Sequence, residues 1–126
     1  MGRLLLVRHG ETSWNAEGRL QGSEDICLSE KGRRQARLIG DRLANTSIDV
    51  AYSSDQSRAR ETAQHILEGR DVALNPIPEL RERSHGVFEG LTVRERKDRY
   101  PEMFAASLVK NLDLIELKQQ KLILKF

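Results

Sequence analysis

Several features that define whole classes of protein are missing from this sequence. Its single cysteine, Cys27, cannot form an internal disulfide, which is typical of a reducing compartment such as the cytoplasm. No apolar run approaches the roughly 18 residues that cross a membrane. The net charge of +2, with basic residues scattered among acidic ones, provides no basic tract for nucleic acid. We therefore expect a cytoplasmic protein whose partner is a small anion rather than a nucleic acid or a membrane.

Aromatic residues are also scarce, at 5% of the 126 residues, whereas 32% of the residues are charged. The core must therefore be built mainly from leucine, isoleucine, valine and alanine. A chain of this length forms one domain and lies near the lower limit for a sheet covered by helices.

The segment from Leu4 to Gly10 carries the strongest functional indication. Four apolar residues followed by Arg8, His9 and a glycine predict a buried strand that presents polar side chains at its carboxyl end. Open α/β sheets bind ligands at that edge. A guanidinium suits a phosphate or carboxylate, and an imidazole can act as a nitrogen nucleophile. The segment therefore indicates phosphoryl chemistry; the alternative is a strand that ends in a salt bridge and a solvent-facing histidine.

The remaining patterns predict an α/β fold, with a parallel-rich sheet flanked by helices on both faces. The polar, glycine-punctuated residues 13–27 predict a loop with one helical turn. The other predicted elements are a helix from the cap Ser29 to about Leu43, a second parallel strand over 48–53, a helix from the cap Asp55 to Leu67, an edge strand over 72–74, and a helix that Thr92 caps and that ends before Pro101.

Arg58 lies in the first turn of the helix predicted after Asp55. A guanidinium there, next to free backbone N–H groups and the positive end of the helix dipole, favours a phosphate at the mouth of the sheet. His65 returns to nearly the same helical face two turns later, about 10 Å along the axis, which is too far to share one phosphate. We interpret His65 as a surface histidine.

Three segments together resemble the histidine phosphatase superfamily, which includes the phosphoglycerate mutases. They are Arg8 to Thr12 with Trp14, Asn15 and residues 18–22, then residues 58–63, and then residues 80–92. The resemblance covers about residues 3–103. It implies a phosphoglycerate mutase-like fold and a double displacement in which a histidine carries the phosphoryl group.

The resemblance also implies roles for individual residues. His9 would attack phosphorus, and Glu82 would protonate the leaving oxygen, since breaking a phosphate ester leaves an alkoxide. The residues implied to bind phosphate or line the substrate site are Arg8, Asn15, Gln21, Gly22, Arg58 and His85. Arg81 and Arg83 would favour the ionised form of Glu82, and so oppose proton donation, unless their side chains turn away. No metal or other cofactor is implied.

Two activities are compatible with this chemistry. Attack of water on the phosphohistidine would make the protein a phosphatase of small phosphate monoesters, whereas return of the phosphoryl group to a different hydroxyl would make it a phosphoglycerate mutase-type enzyme. Gln21 and Gly22 followed by Asp25 are more similar to the phosphatase branches of the family. We interpret Glu89 as structural, holding its loop in place before the helix that Thr92 caps.

The resemblance ends before the carboxyl terminus. The family continues with a further strand and a loop that carries a second histidine, and neither His65 nor His85 lies in that context. We therefore expect a domain over 1–107, truncated relative to the family and incomplete at its end, followed by an atypical tail over 108–126. In that tail residues 121–126 alternate like a strand, whereas Leu108, Leu112 and Ile115 have helical spacing.

Two further expectations follow from an incomplete sheet. An unpaired strand edge favours a homodimer. The loss of a second histidine would make the chain a catalytically impaired phosphate-binding domain, because a missing donor to the transferring phosphoryl group costs about 100- to 1,000-fold in rate. This is the third functional hypothesis, beside the phosphatase and the mutase.

Overall fold

The computed structural model describes residues 2–113 and 121–125, with the side chains of residues 2–108. Its strands are β1 (Leu4–Arg8), β2 (Val50–Ser54), β3 (Leu74–Ile77) and β4 (Lys121–Lys125). Its α-helices are α1 (Ser13–Ala16), α2 (Glu30–Arg42), α3 (Ser57–Leu67), α4 (Val93–Arg99) and α5 (Pro101–Asp113), with 3₁₀ turns at Pro78–Leu80 and Gly86–Phe88.

The four strands form one sheet in the order β1-β4-β2-β3. β2 and β3 are parallel, and β4 runs antiparallel to both of its neighbours. Leu4 of β1 and Val50 of β2 both pair with Lys125, so β1 and β2 point the same way on either side of β4. The residues that follow β1 and β2 therefore emerge at one edge of the sheet.

The carboxyl-terminal segment contributes a helix and a strand. α5 includes Leu108 and Leu112, in agreement with the helical spacing, while residues 121–125 adopt the strand that their alternation predicts. Ile115 lies outside the described residues. α5 runs across residue 107, and β4 joins the sheet. The division of the chain into a domain over 1–107 and a tail over 108–126 stays a prediction.

The core lies between one face of the sheet and the helices α2 and α3. Its buried residues are Ile48, Ala51, Ala63, Ile66 and Leu67, against which Leu5 and Val7 pack. The prediction that β1 is a buried strand is wrong for one of its faces, because Leu4 and Leu6 are 62% and 47% exposed. Successive side chains of a strand point to opposite faces, and only the Leu5 and Val7 face meets this core.

Two of the three predicted helix caps are present. The Ser29 hydroxyl accepts a hydrogen bond from the Gly32 N–H at 3.1 Å, and Thr92 forms a capping box with Glu95. The predicted cap Asp55 is wrong: α3 begins after Gln56, which makes no side-chain capping bond. Asp55 instead accepts from the Arg81 Nε at 2.6 Å, because a charged, bidentate guanidinium is the stronger donor.

The outer strands of the described sheet are β1 and β3. Each leaves one strand edge without a partner strand in this sheet, so a homodimer through such an edge stays a prediction. Among the described helices, none has the length and apolar character that crossing a bilayer requires.

The amino-terminal end of α2 packs directly on the backbone that follows β1. The Ser29 N–H and hydroxyl both donate to the Glu11 carbonyl oxygen, at 2.8 and 3.1 Å. A Cβ on Gly32 would lie 2.8 Å from the Glu11 nitrogen and closer still to its carbonyl oxygen. Only a glycine at position 32 therefore lets α2 pack this closely on the backbone of Glu11. This contact fixes the chain next to His9.

We expect Gly32→Ala to lower the free energy of unfolding, although alanine is the better helix former by up to about 1 kcal/mol. The added methyl group meets backbone that cannot move aside, a type of overpacking that costs about 1–3 kcal/mol. Urea unfolding measures the change. Arg34→Ala, at an exposed position of the same helix, should stay within about 0.5 kcal/mol of the parent. A more stable Gly32→Ala protein would contradict the close approach.

Candidate active site

A cavity of about 320 Å³ lies at the carboxyl edge of the sheet. It is lined by all of the residues that the sequence assigned to a phosphate site, which are Arg8, His9, Asn15, Gln21, Gly22, Arg58, Glu82 and His85. They come from the end of β1, from α1 and the loop after it, from the start of α3 and from the loop after β3. Their individual roles remain predictions, but the fold brings the whole set together.

The His9 ring is oriented by the backbone. Its Nδ1 lies 2.7 Å from the Gly10 carbonyl oxygen. Because a carbonyl oxygen only accepts, Nδ1 carries the hydrogen and Nε2 keeps its lone pair. The pKa of His9 is lowered from 6.5 to about 4, chiefly by burial, with smaller contributions from the positive charges of Arg58 and Arg8 and against the opposing effect of the Gly10 hydrogen bond. The imidazole is therefore neutral at pH 7, with a free nucleophilic nitrogen.

Gly10 is itself held by α3. Its N–H donates to the Thr62 hydroxyl at 3.0 Å, and that hydroxyl donates to the Arg58 carbonyl oxygen at 2.6 Å. One turn of α3 therefore carries Arg58 and also positions the peptide that orients His9.

Arg58 is fully enclosed, with 1% of its surface exposed. Its terminal nitrogens donate to the carbonyl oxygens of Glu24 and Gly22, at 2.6 and 2.8 Å. Burial lowers the pKa of Arg58, while the carboxylates of Asp25, Glu82 and Glu89 oppose that shift. The Nε–H has no hydrogen-bond partner within the described residues. The guanidinium that the sequence assigns to a phosphate is thus held by backbone carbonyl oxygens through its terminal nitrogens.

Arg8 supplies a second cation beside His9. Its side chain is exposed, lines the same cavity and forms no ion pair with a carboxylate of the described chain. Its donors are therefore available to an anion that enters from solvent.

Thr12 sets the orientation of two side-chain amides. It is completely buried, and its hydroxyl lies 2.6 Å from Gln21 Oε1 and 3.1 Å from Asn15 Oδ1. The Thr12 N–H also donates to Asn15 Oδ1, at 3.0 Å. Since both amide oxygens face Thr12, the NH₂ groups of Asn15 and Gln21 are left as donors at the cavity. Sequence reasoning did not single out Thr12, whose role depends on residues that the fold brings to it.

Glu82 lies in the same cavity with 14% of its side chain exposed. Its carboxylate accepts from the Arg83 N–H at 3.0 Å and lies 4.0 Å from His85 Nε2. The Arg81 side chain turns away, because Asp55 binds it. The sequence required this of both Arg81 and Arg83 if Glu82 is to give up a proton, whereas Arg83 lines the cavity together with Glu82.

Glu89 joins the two loops that form one wall of the cavity. Its carboxylate accepts from the Ser23 N–H at 2.8 Å, the Ser23 hydroxyl at 2.9 Å and the His85 N–H at 2.9 Å. Burial raises the pKa of Glu89, but the donors of His85 and Ser23 outweigh it and lower the pKa overall. A Cβ at Gly22, whose φ is +55°, would collide with the same carboxylate. These contacts support the structural interpretation of Glu89.

The cavity also contains residues that the sequence did not indicate, namely Arg19, Leu20, Arg83, Phe88, Arg96 and Ser107. Arg19 and Leu20 lie within the segment that resembles the family, so that segment offered a signal for them. Arg96 and Ser107 lie on α4 and α5, where a helical pattern alone does not reveal which side chain meets a distant loop.

Within the described residues, no three histidine, cysteine, aspartate or glutamate side chains converge in a way that could hold a metal ion. The prediction that the site works without a metal or other cofactor stays a prediction. His65 lines a different cavity, where its Nε2 lies 3.6 Å from Glu61 and its side chain is 21% exposed.

The solved structures that this fold resembles are phosphoglycerate mutase-like phosphatases. The α-ribazole phosphatase of Shigella flexneri aligns with 94% of this chain and 59% of its own, with a TM-score of 0.79 and 29% sequence identity. The predicted fold class is confirmed. The model of the histidine phosphatase superfamily (branch 1) matches residues 4–114. The chain belongs to this superfamily.

The relatives include both phosphatases and mutases. Phosphoserine phosphatase 1 of Hydrogenobacter thermophilus is 40% identical over 104 residues, which are 82% of this chain and 49% of the relative. A 2,3-bisphosphoglycerate-dependent phosphoglycerate mutase of Gloeobacter violaceus is 39% identical over 105 residues, 81% of this chain and 48% of the relative. The chain thus spans about half the length of these curated relatives.

The lowered pKa of His9 makes stability depend on pH. Between pH 6.5 and about 4 the unfolded chain binds a proton at His9 that the folded chain does not. Folding therefore weakens as the pH falls through this window, by about 2 to 3 kcal/mol between pH 7 and pH 4.5. His9→Asn, whose amide can still donate to Gly10, should not show this part of the loss. Urea unfolding of both proteins at the two pH values measures it. Equal losses would show that the pKa of His9 is not lowered.

Proposed function

We propose that the protein is a phosphatase of small phosphate monoesters that works through a phosphohistidine at His9. The observation that supports this proposal most directly is the hydrogen bond between His9 Nδ1 and the Gly10 carbonyl oxygen. It leaves a neutral ring with its Nε2 lone pair in a cavity that Arg8 and Arg58 line together with other arginines. A nucleophile next to cations is suited to attack on a dianionic phosphoryl group.

The phosphoryl group would be bound by donors from three parts of the chain. They are the Arg8 guanidinium, the Arg58 Nε–H and the amide NH₂ groups of Asn15 and Gln21. Because the amides are oriented by Thr12 and Arg58 is held by backbone carbonyl oxygens, most of these donors are in place before substrate arrives. Preorganised donors stabilise the charge that builds on the equatorial oxygens during transfer.

In the first chemical step the Nε2 lone pair forms a bond to phosphorus and the bond between phosphorus and the ester oxygen breaks. The leaving oxygen takes a proton from the carboxyl group of Glu82, which becomes a carboxylate. Nδ1 keeps its hydrogen, and the Gly10 carbonyl oxygen stabilises the positive charge that the ring gains.

In the second step a water molecule attacks phosphorus and the bond to Nε2 breaks. The Glu82 carboxylate accepts the proton of the water, which restores the acid for the next cycle. Inorganic phosphate leaves, and His9 returns to its neutral form with Nε2 free.

The relatives support a phosphate monoester as substrate, since they include phosphoserine phosphatases as well as phosphoglycerate mutases. The mutase hypothesis differs only in the second step, where a hydroxyl of a phosphoglycerate replaces water. Under the hypothesis of a catalytically impaired domain, the protein binds a phosphate group but carries out neither chemical step. Product analysis separates all three.

We expect the protein to release phosphate from p-nitrophenyl phosphate in the presence of a chelator, and to form an acid-labile phosphoprotein in rapid-quench experiments. His9→Ala should abolish both signals, because no other side chain replaces Nε2. His65→Ala, which removes a histidine that lines another cavity, is the matched control and should retain both.

The outcomes of this experiment are distinct. Turnover that survives in His9→Ala would reject the nucleophile. Conversion of 3-phosphoglycerate to 2-phosphoglycerate without release of phosphate would identify a mutase. Binding of inorganic phosphate with neither turnover nor phosphoprotein would favour the impaired domain.

Glu82→Gln tests the proton donor. For an alkyl phosphate such as glycerol 3-phosphate we expect the rate of phosphoenzyme formation to fall by about 10² to 10⁴-fold, the usual contribution of a general acid. For p-nitrophenyl phosphate the fall should be much smaller, because nitrophenolate leaves without protonation. Single-turnover kinetics with both substrates measures the difference. Equal losses for the two leaving groups would remove Glu82 from this role.

A further inference from the structure

We propose that two copies of this chain associate through the free edge of β1, so that their β1 strands pair antiparallel and the two sheets become continuous. The β1 edge is the side of this strand that faces away from β4. β1 is an outer strand, and no other strand of the described chain pairs with this side of it. Such an edge presents backbone N–H and C=O groups that a further strand can bind.

The side chains next to the β1 edge are apolar and exposed. Leu4 and Leu6 are 62% and 47% exposed, on the face of the sheet opposite to the core. Leu38 of α2, which is 66% exposed, lies beside the end of β1 on the helix-covered side, where it lines a shallow cavity with Arg8 and Ile39. A strand with exposed leucines on both sides favours association with another apolar strand.

The other outer strand, β3, has features that oppose association. Its residues Asn75 and Pro76 are both exposed, and a proline has no N–H to donate to a partner strand. Residues 4–7 of β1, in contrast, contain neither a proline nor a charge. Of the two outer strands in the described sheet, β1 is therefore the one that can accept a partner.

The strand that best fits this edge is a second copy of β1. Two identical strands can pair antiparallel about a two-fold axis. When the axis passes Leu5, Leu4 of one copy lies opposite Leu6 of the other, and Leu6 lies opposite Leu4. Opposite residues of a strand pair lie on the same face, so the four leucines form one apolar cluster on the exposed face. The edge is thus complementary to itself.

Another register is less favourable. If the axis passed Leu6 instead, Leu4 of one copy would lie opposite the charged side chain of Arg8 of the other. The match of apolar side chains therefore favours the axis at Leu5. In that register Arg8 and His9 lie beyond the paired leucines, so the dimer does not depend on the phosphatase proposal.

The size of the contact predicts a reversible dimer. A stable interface buries about 800 Å² on each partner. A pair of five-residue strands with two exposed leucines in each covers less than this. We therefore expect a dissociation constant on the order of 10 µM.

Sedimentation velocity of the full chain, from about 1 to about 500 µM, tests the proposal. We expect a reversible change from monomer to dimer near the dissociation constant given above. Leu6→Lys should raise that constant about tenfold or more, because the symmetric contact contains each substitution twice and places lysine opposite leucine. Leu4→Lys, at the paired position, should have the same effect.

Met103→Lys is the matched control. Met103 lies on α5, is 53% exposed and receives the same charge, so this variant should dimerise like the parent. Circular dichroism of all the variants shows that they are folded.

Disulfide trapping tests the register. In a Cys27→Ser background, which removes the exposed free thiol, a protein with Leu4→Cys is mixed with a protein with Leu6→Cys in a glutathione redox buffer. We expect the mixed disulfide dimer to exceed both homodimers, because only the mixed pair brings the two introduced thiols directly opposite each other.

Three results would overturn the proposal. They are a monomer over the whole concentration range, a dimer that persists in folded Leu4→Lys and Leu6→Lys proteins, and a disulfide homodimer of the Leu6→Cys protein in excess of the mixed dimer. Absence of turnover would reject the phosphatase proposal alone, since none of these measurements depends on catalysis.

Discussion

The backbone of Gly10 is the constraint on which the rest of the site depends. Its N–H is anchored by Thr62 of α3 and its carbonyl oxygen orients the His9 ring. The glycine also lies against the backbone of Gly32 at the start of α2, where a Cβ at position 10 would be 3.0 Å from the Gly32 Cα. The backbone of a single residue between two helices therefore determines which imidazole nitrogen carries the hydrogen. The position of the hydrogen on the His9 ring therefore depends on how α2 and α3 pack against Gly10.

Arginines of this molecule differ in the kind of partner that holds them. Carboxylates bind Arg33 and Arg81 outside the cavity, and Arg19 inside it. Arg58 and Arg96, inside the cavity, are instead held by backbone carbonyl oxygens. A carbonyl oxygen orients a guanidinium without cancelling its charge, whereas a carboxylate does both. The cavity therefore keeps its positive potential while its cations stay fixed.

Much of this arrangement could be predicted from the sequence, because the determining signals are local. The strand before His9, the caps at Ser29 and Thr92 and the place of Arg58 in the first turn of α3 follow from short patterns. Asp55 was predicted wrongly as a cap, since its partner Arg81 lies 26 residues away. No local sequence pattern predicts that a distant arginine will bind the Asp55 side chain and keep it from capping α3. The exposure of one face of β1 was not predicted, because an apolar run does not indicate whether a second layer of structure covers each face of the strand.

The long-range part of the site was less predictable for the same reason. The orientation of two amides by Thr12 depends on a loop that returns to α1, and the place of Arg96 in the cavity depends on how α4 packs on Phe104. The insertion of β4 between β1 and β2 is a further case, because strand alternation predicts a strand but not its neighbours. Sequence motifs therefore locate the reacting groups, and tertiary contacts define what surrounds them.

The low pKa of His9 connects the stability of the domain to its proposed chemistry. Burial and the two neighbouring arginines disfavour the imidazolium, which weakens the folded state in acid. The same cations favour a phosphoryl dianion at the place where they disfavour a proton. In the proposed mechanism the charge of the bound anion would offset theirs, so that positive charge would appear on the ring only after a negative group has bound. The arrangement that disfavours protonation of His9 is therefore compatible with the phosphorylation that we propose.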